Sequence, residues 1–465
     1  MSAIAALRHE TPRLLPLFLP IVLSQYAGIA SGVLDSAMAG SLGTLPLAAI
    51  AVGVAVWVPF QVLILGIMYG LVVFVSQAHG AKDRATIDDL TQQTLYLALI
   101  VGPLAGAALY MLAGGIGVFG VDEEIASLAA SYIRAETWGL PVACLMFTLR
   151  FYCEGQKVVV PVTVISVIII GVKGFFNYGL MFGNLGMPAL GVVGCGYATV
   201  CTNVCYLVMI AGYICLSPRF AGKRLFATFH SPKPATFVRI AKTGAPIGLC
   251  FTSEFLVFSV MTMFISQHGA IAAAANQVAF NCMILFFSTA AAFAGAACIR
   301  VGNLFGGGDR DALRSSVTGI VLMSLLIGCI LTAGMVLNDS ALAGVFSDDP
   351  AVIPLAVAIL HMAALFQIAD ALQVSLNGVL RGIGDVGVPF LFTTFLYWLV
   401  GIPTGYLLSG GVLPAGLVFP VNLGVVGWWA GITIALSFAA LLLGLRVRTM
   451  FWDCKGPVEA MRVSA

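Results

Sequence analysis

Residues 14–38 read LLPLFLPIVLSQYAGIASGVLDSAM, an apolar stretch in which the only charged residue is Asp35. A helix needs about 20 apolar residues to cross a bilayer, so this stretch predicts a membrane-spanning helix. A carboxylate at bilayer depth costs roughly 3 kcal/mol or more on insertion scales. Two further carboxylates, Glu254 and Asp370, lie in similarly apolar stretches, so all three are candidate functional residues.

The composition of the whole chain is that of an integral membrane protein. Of its 465 residues, 60% are hydrophobic and only 9% are charged, whereas about 25% charged residues is typical of soluble proteins. Long unbroken apolar runs predict helices, because barrel strands alternate over short segments. The sequence predicts twelve spans, at about 14–38, 46–75, 91–117, 128–152, 161–182, 191–216, 243–267, 271–299, 313–337, 351–377, 389–410 and 422–445.

The basic residues predict the orientation of these spans. If the N-terminus is inside, all but three of the 22 Lys and Arg residues fall in inward loops or tails. The exceptions, Arg134, Arg150 and Lys173, fall in or at the ends of helices. The positive-inside rule therefore predicts a multi-pass protein of the bacterial inner membrane with both termini cytoplasmic. The basic residues are topology signals, and no nucleic-acid partner is expected.

The chain contains an internal repeat of a six-helix unit. We assign residues 1–216 to an N-lobe, 217–242 to a cytoplasmic linker and 243–465 to a C-lobe. An even number of helices in each unit makes the repeats parallel, related by a pseudo-two-fold axis along the membrane normal, as in transporters with rocking halves. The repeated positions are Pro20 and Pro246, Gly43 and Gly269, Gly80 and Gly306, Asp83 and Asp309, Asp122 and Asp349, and the GVVG strings at 191–194 and 424–427.

The intramembrane acids do not follow the repeat. At the same offset Asp35 aligns with Met261, and Glu254 aligns with Gly28. Residues that depart from a duplicated scaffold are better candidates for a specialised function than those that repeat. The sequence thus predicts one acid site in the N-lobe and a separate pair in the C-lobe.

Three segments carry a resemblance to a known family. VLDSAMAGSLG at 33–43, GAPIGLCFTSE at 244–254 and LFQIADALQVSLNGVLRGIGD at 365–385 resemble the MATE (multidrug and toxic compound extrusion) transporters, most closely the NorM branch. The resemblance implies that Asp35, with Asn177 nearby, serves cation-coupled export from the N-lobe. It also implies that Glu254 and Asp370 bind sodium.

Two positions depart from the pattern of that family. Lys173 stands one helical turn before Asn177, where many NorM-like proteins have Asn, and a lysine there could pair with Asp35. An aromatic hydroxyl common near the C-lobe cation site is replaced by Phe366. These two residues bear on ion preference.

The C-lobe acids allow two kinds of coupling chemistry. Carboxylates with amide oxygens, for which Gln277 and Asn281 are candidates, suit sodium, a hard cation. The same carboxylates could instead share a proton, because burial and like charge favour the neutral form. Sodium and proton coupling therefore both remain open.

Further residues are candidates for drug contact. The resemblance places Gln277 and Asp349 at drug-contacting positions, although Asp349 also fits a helix cap. Met38 and Met261 lie near the acids in sequence, and Met suits an adaptable apolar site. Arg134 and Glu136 are expected to form a local structural pair.

The predicted function is a secondary multidrug antiporter, not an enzyme. It would export cationic and amphipathic drugs in exchange for sodium, protons or both, as a monomer in membrane lipid and with no cofactor besides the coupling ion. The nearest alternative is a lipid-linked saccharide flippase, which usually has more basic residues in its cavity. An ion channel fits the parallel repeat less well, and no catalytic residue set supports an intramembrane enzyme.

Overall fold

The computed structural model describes residues 3–119, 122–220, 225–226, 230–411 and 422–453. Within those ranges the regular elements are helices, without a strand. Both chain ends lie outside the described residues, as do the basic residues Lys223, Arg224, Lys455 and Arg462. The predicted placement of the termini therefore stays a prediction.

The first seven α-helices are α1 (Ala3–Leu42), α2 (Thr44–Gly80), α3 (Arg84–Ala113), α4 (Glu123–Thr137), α5 (Gly139–Gly155), α6 (Val160–Phe182) and α7 (Val192–Leu216). The remainder are α8 (Pro234–Ser266), α9 (Ala270–Gly306), α10 (Arg310–Leu337), α11 (Asp339–Phe346), α12 (Ile353–Gly382), α13 (Gly387–Leu396), α14 (Ile402–Leu408) and α15 (Val425–Phe451). A π-helical turn, Tyr397–Gly401, joins α13 to α14.

The fold class predicted from the sequence is confirmed. Eleven helical segments among the described residues are long and apolar enough to cross a membrane, with α13, the π-turn and α14 forming one of them. The remaining predicted span, 128–152, is divided at Trp138 into α4 and α5. Pro141 explains the break, because its nitrogen has no hydrogen to donate to the carbonyl four residues earlier.

The chain forms two compact units. We call residues 23–252 the N-unit, and residues 1–22 together with 253–465 the C-unit. Both boundaries fall inside helices, α1 and α8, rather than in the 217–242 segment. The predicted lobes follow the internal repeat, and their boundaries stay a prediction about that repeat.

Local contacts explain why α1 begins in the C-unit. Glu10 is fully buried, and its carboxylate accepts hydrogen bonds from Arg300 at 2.9 and 3.0 Å and from Ser316 at 2.9 Å. A buried carboxylate needs such partners, so this end of α1 is fixed to α9 and α10.

The first part of α8 packs within the N-unit through glycines. A Cβ built on Gly66 would lie 2.1 Å from the Cα of Gly248, and one built on Gly244 would lie 2.1 Å from the carbonyl oxygen of Ile67. Small residues allow helix backbones in a membrane to approach this closely. The contact holds α8 against α2.

Equivalent helices of the two units begin with the same N-cap. Asp83 caps α3 by accepting from the Thr86 amide at 3.1 Å, and Asp309 caps α10 by accepting from the Ala312 amide at 3.0 Å. The Thr86 hydroxyl, which also donates to Asp83, lowers the pKa of that carboxyl. The Asp pair found in the sequence repeat is therefore structural.

The two GVVG strings also share one conformation. Gly191 has φ 57° and ψ −129°, and Gly424 has φ 55° and ψ −134°, a region that favours glycine. A Cβ on Gly194 would lie 2.2 Å from the Leu180 oxygen, and one on Gly427 would lie 2.5 Å from the Leu408 carbonyl carbon. These glycines let α7 and α15 start against the preceding helix of their own unit.

Candidate functional site

Asp35 of the N-unit is held by two side chains of α6. Its Oδ2 lies 3.0 Å from Lys173 Nζ, and its Oδ1 accepts a hydrogen bond from Asn177 Nδ2 at 2.7 Å. Lys173 and Asn177 are four residues apart, so they lie on one face of the helix. Each oxygen of this membrane carboxylate therefore has a donor, and the side chain is only 15% exposed.

Lys173 joins this pair to a third helix. Its ammonium also donates to Thr199 Oγ1 of α7 at 2.6 Å, and Thr199 in turn donates to the Cys195 carbonyl at 3.2 Å. The lysine side chain is only 5% exposed. A buried ammonium is tolerable when it is paired and hydrogen-bonded, as it is here.

Glu136 of α4 lies at the same place, which the sequence did not predict. Its side chain is buried beside Tyr132 and Thr199, within electrostatic range of Lys173 and Asp35. Its Oε2 has no hydrogen-bond partner among the described residues, and neither has Asn177 Oδ1. The N-unit therefore holds two carboxylates around one ammonium.

The predicted pairing of Glu136 with Arg134 is wrong. Residues two apart on a helix point about 200° away from each other. Arg134 instead lies over the ring of Tyr110, with its guanidinium carbon 5.4 Å from the ring centroid. The presence of a nearby arginine in the sequence concealed the fact that Glu136 faces the interior.

Two glycines allow α4 to bring Glu136 inward. A Cβ on Gly53 of α2 would lie 2.4 Å from the Tyr132 ring, and one on Gly196 of α7 would lie 2.7 Å from the Ala135 Cβ. Because neither glycine has a side chain, α4 packs closely against both helices. The packing of α4 fixes the position of its buried face.

In the C-unit, Asp370 has quite different surroundings. It is 2% exposed on α12, and its Oδ2 has no hydrogen-bond partner among the described residues. Asp370 is repelled electrostatically by a second carboxylate, that of Glu254 on α8. The predicted C-lobe acids are therefore neighbours, and each needs a cation or a proton to offset the other.

Two aromatic residues of the π-turn contact Glu254 and the residue before it. The Tyr397 hydroxyl makes a long hydrogen bond of 3.4 Å to Glu254 Oε1, and the indole nitrogen of Trp398 donates to Ser253 Oγ at 2.9 Å. Single π-turns recur at functional sites because they shift the register of a helix. Tyr397 thus supplies an aromatic hydroxyl, whereas Phe366 packs against Trp429 at a centroid distance of 6.1 Å.

Two glutamines on α12 extend the polar surface around Asp370. Gln367 and Gln373 stand three residues before and after it, and both are completely buried. The oxygen and the nitrogen of each amide have no partner among the described residues. Buried amides are normally hydrogen-bonded, so these oxygens are available to a hard cation. Three polar residues spaced three apart in an apolar helix indicate a polar site, and this pattern is visible in the sequence.

The other predicted cation ligands are Gln277 and Asn281, both on α9. Gln277 is exposed on α9 and donates to Asn281 Oδ1 at 3.0 Å. The residue that faces inward from this turn is Asn276, which accepts from the Trp429 indole at 3.0 Å. Among the described residues, no group of three or more His, Cys, Asp or Glu side chains is arranged to hold a metal ion. A sodium ion would therefore need neutral oxygens beside the two acids.

The three remaining drug-contact candidates are dispersed. Asp349 is exposed and accepts from the Ala351 amide at 2.8 Å, a turn that precedes α12. Met261 is completely buried in the apolar core of the C-unit. Met38 is half-buried on α1, one turn beyond Asp35. The drug-contact role of these residues stays a prediction.

One protein-family model matches this chain in two separate ranges. The MatE family model matches residues 20–179 and 246–407. The two matches begin at Pro20 and Pro246, which the repeat in the sequence also aligned. The family model and the repeat therefore agree on the same pair of units.

Curated relatives cover nearly the whole chain. Multidrug resistance protein PmpM of Pseudomonas aeruginosa is 34% identical over 445 residues, which span 95% of this chain and 92% of that protein. Multidrug resistance protein NorM of Vibrio cholerae serotype O1 is 31% identical over 445 residues, 96% of each chain. The crystal structure of the eukaryotic MATE transporter AtDTX14 has the same fold, with a TM-score of 0.87, 20% identity and 99% of both chains covered.

Proposed function

This chain belongs to the MATE family of multi-pass membrane transporters, and we propose that it exports drugs in exchange for an inorganic cation. The exported substrates are small cationic and amphipathic molecules, and the driving ion is sodium or a proton. The relatives at 34% and 31% identity are named multidrug resistance proteins, which supports the substrate class. The protein is a transporter and not an enzyme.

The observation that carries the coupling proposal is the buried Asp370 beside Glu254. Its Oδ2 and the amide oxygens of Gln367 and Gln373 lack partners among the described residues. These oxygens fit a hard cation such as sodium, and the two acids alternatively suit a shared proton. Binding of either ion favours one conformation only if that conformation binds the ion more tightly.

Asp35 is the proposed interaction point for the organic cation in the N-unit. A positively charged drug can replace the donors that Asp35 now has, whereas a neutral molecule cannot. Met38, Met261, Gln277, Asn281 and Asp349 are retained as proposed drug contacts. An inward ion gradient then drives export across the inner membrane, where the potential contributes about 2.3 kcal/mol per charge per 100 mV.

Ethidium transport in a bacterial host that lacks its own drug pumps tests this proposal. Wild-type protein should confer ethidium resistance, and vesicles should exchange ethidium for sodium, protons or both. Asp370→Asn and Glu254→Gln should abolish the exchange, whereas Asp348→Asn, at an exposed loop acid, should not. Absence of resistance with the wild-type protein in the membrane overturns drug export. Unchanged ion dependence in the two variants overturns the C-unit ion site.

The flippase alternative is less well supported. A saccharide diphosphate needs cationic groups free to bind phosphate, and the mid-helix Lys173 is engaged by Asp35 at 3.0 Å. The acids that surround Lys173 would repel such an anion.

A further inference from the structure

The charges in the N-unit do not cancel one to one. Lys173 is a buried cation, and two carboxylates, those of Asp35 and Glu136, attract its ammonium electrostatically. A largely buried pair of this unit, Arg150 and Glu154, has one acid for one base at 2.7 Å, both on α5. The N-unit site therefore has one carboxylate more than its own cation can neutralise.

Geometry gives the ammonium a route between the two acids. An ammonium has three donors, and Lys173 uses two of them, toward Asp35 on α1 and Thr199 on α7. Glu136 lies beside the same Thr199, on α4. Because Glu136 Oε2 has no hydrogen-bond partner among the described residues, it is an acceptor available to the ammonium.

We propose that Glu136 is a second ion-pair partner for Lys173, which moves onto it when an organic cation binds Asp35. The identity of the incoming cation rests on the proposed function. The exchange involves no covalent change: one cation arrives at Asp35, and the resident ammonium transfers its salt bridge to Glu136. Without Glu136, binding at Asp35 would leave a buried ammonium unpaired, which is strongly unfavourable.

The rest of the surroundings is neutral or weakly acidic. The groups that interact with Lys173 or with one of its two acids are Asp35 of α1, Glu136 and Tyr132 of α4, Asn177 of α6, and Cys195 and Thr199 of α7. None of these described groups is a second cation that would repel the ammonium at Glu136. The exchange also gives selectivity for cations, because a neutral drug does not displace Lys173.

Equilibrium binding of tetraphenylphosphonium, a permanent cation, tests the exchange in the purified full-length protein in lipid nanodiscs. Glu136→Gln should raise the dissociation constant about tenfold or more, because Lys173 then has no second partner. The double variant Glu136→Gln with Lys173→Met should bind at least as tightly as wild type. The control Glu123→Gln removes an exposed acid from the same helix and should bind like wild type.

Two results overturn the inference. One is wild-type affinity in Glu136→Gln, and the other is an affinity in the double variant no better than in Glu136→Gln. If the wild type does not bind the probe, the proposed drug site has failed and thermal unfolding decides the inference instead. Glu136→Gln and Lys173→Met should then change the Tm by amounts that do not add. Additive changes would show that the two side chains do not interact.

Discussion

Asp35 of the N-unit and Asp370 of the C-unit are both membrane carboxylates, yet they meet opposite surroundings. Asp35 has a lysine at 3.0 Å and an amide donor at 2.7 Å. Asp370 has a second carboxylate for a neighbour and an oxygen with no hydrogen-bond partner among the described residues. We infer that the N-unit carries its own cation, whereas Asp370 of the C-unit takes its cation or proton from solution.

The contrast is informative because the scaffold around the two sites is the same. Asp83 and Asp309 cap equivalent helices, and Gly191 and Gly424 adopt the same backbone angles. Duplication therefore preserved the turns and the close contacts between helices. The charged residues do not follow the repeat, and they give Asp35 and Asp370 different surroundings.

The largest expected effect comes from removing the N-unit carboxylate. In the Glu136→Gln background, Asp35→Asn takes away the remaining charged partner of a buried ammonium, which should lower the free energy of unfolding by about 3 kcal/mol. Denaturant titration of the purified protein in mixed micelles measures the change. Asp348→Asn, at an exposed loop position, serves as the control. A stability equal to that of Glu136→Gln would mean that the Asp35–Lys173 pair is not important for folding.

The C-unit carboxylate should respond with the opposite sign. Asp370→Asn removes a buried charge that has a like-charged neighbour, so stability without sodium should rise by about 1–2 kcal/mol. The same titration measures it. A loss of stability comparable to that of Asp35→Asn would show that both carboxylates have resident partners and would remove the contrast between the units.

Sodium should stabilise the protein through the C-unit alone. A ligand at about 100 times its dissociation constant stabilises the native state by about 2.7 kcal/mol. Replacing choline chloride with sodium chloride should therefore raise the Tm of wild type and of Asp35→Asn, but not that of Asp370→Asn. If the Tm is insensitive to sodium but changes with pH in wild type and in Asp35→Asn, and this change is lost in Asp370→Asn, the coupling ion is a proton.

Much of this arrangement was predictable from the sequence. Apolar length placed the spans, and paired Pro, Gly and Asp residues revealed the repeat, because these residues act locally. Helical periodicity put Lys173 and Asn177 on one face. Their contact with Asp35 depends on how α1 packs against α6, which no local pattern specifies.

Two residues of the candidate sites, Glu136 and Tyr397, were missed for physical reasons. Glu136 lies in α4, which is more polar than the other membrane helices, and Arg134 offered a local explanation for it. Tyr397 lies 27 residues after Asp370, and a π-turn sets where its ring points. Gln367 and Gln373 could have been found, because three polar residues at a spacing of three are rare in an apolar helix.

Equivalent glycine substitutions in the two units should lower stability by the same amount. Alanine at Gly194 or at Gly427 would place a Cβ against backbone atoms of the preceding helix, at 2.2 and 2.5 Å respectively. Each change should cost about 1–2 kcal/mol of stability, without altering sodium dependence. Gly28→Ala is the matched control, since a Cβ there meets no atom within 4 Å. Unequal losses would show that duplication did not preserve this contact.

The smallest expected effect concerns the hydroxyl that reaches Glu254. Tyr397→Phe removes a hydrogen bond of 3.4 Å, and its length makes it a weak one. Its loss should cost about 0.5 kcal/mol of ion binding, or roughly a twofold rise in the ion's dissociation constant. Phe395→Leu, at an exposed position on the same membrane span, is the control for packing. Sodium or proton titration followed by tryptophan fluorescence detects the change. A loss as large as that of Glu254→Gln would make Tyr397 a direct ligand of the ion, whereas no change would leave the two acids and the α12 glutamines as the complete C-unit site.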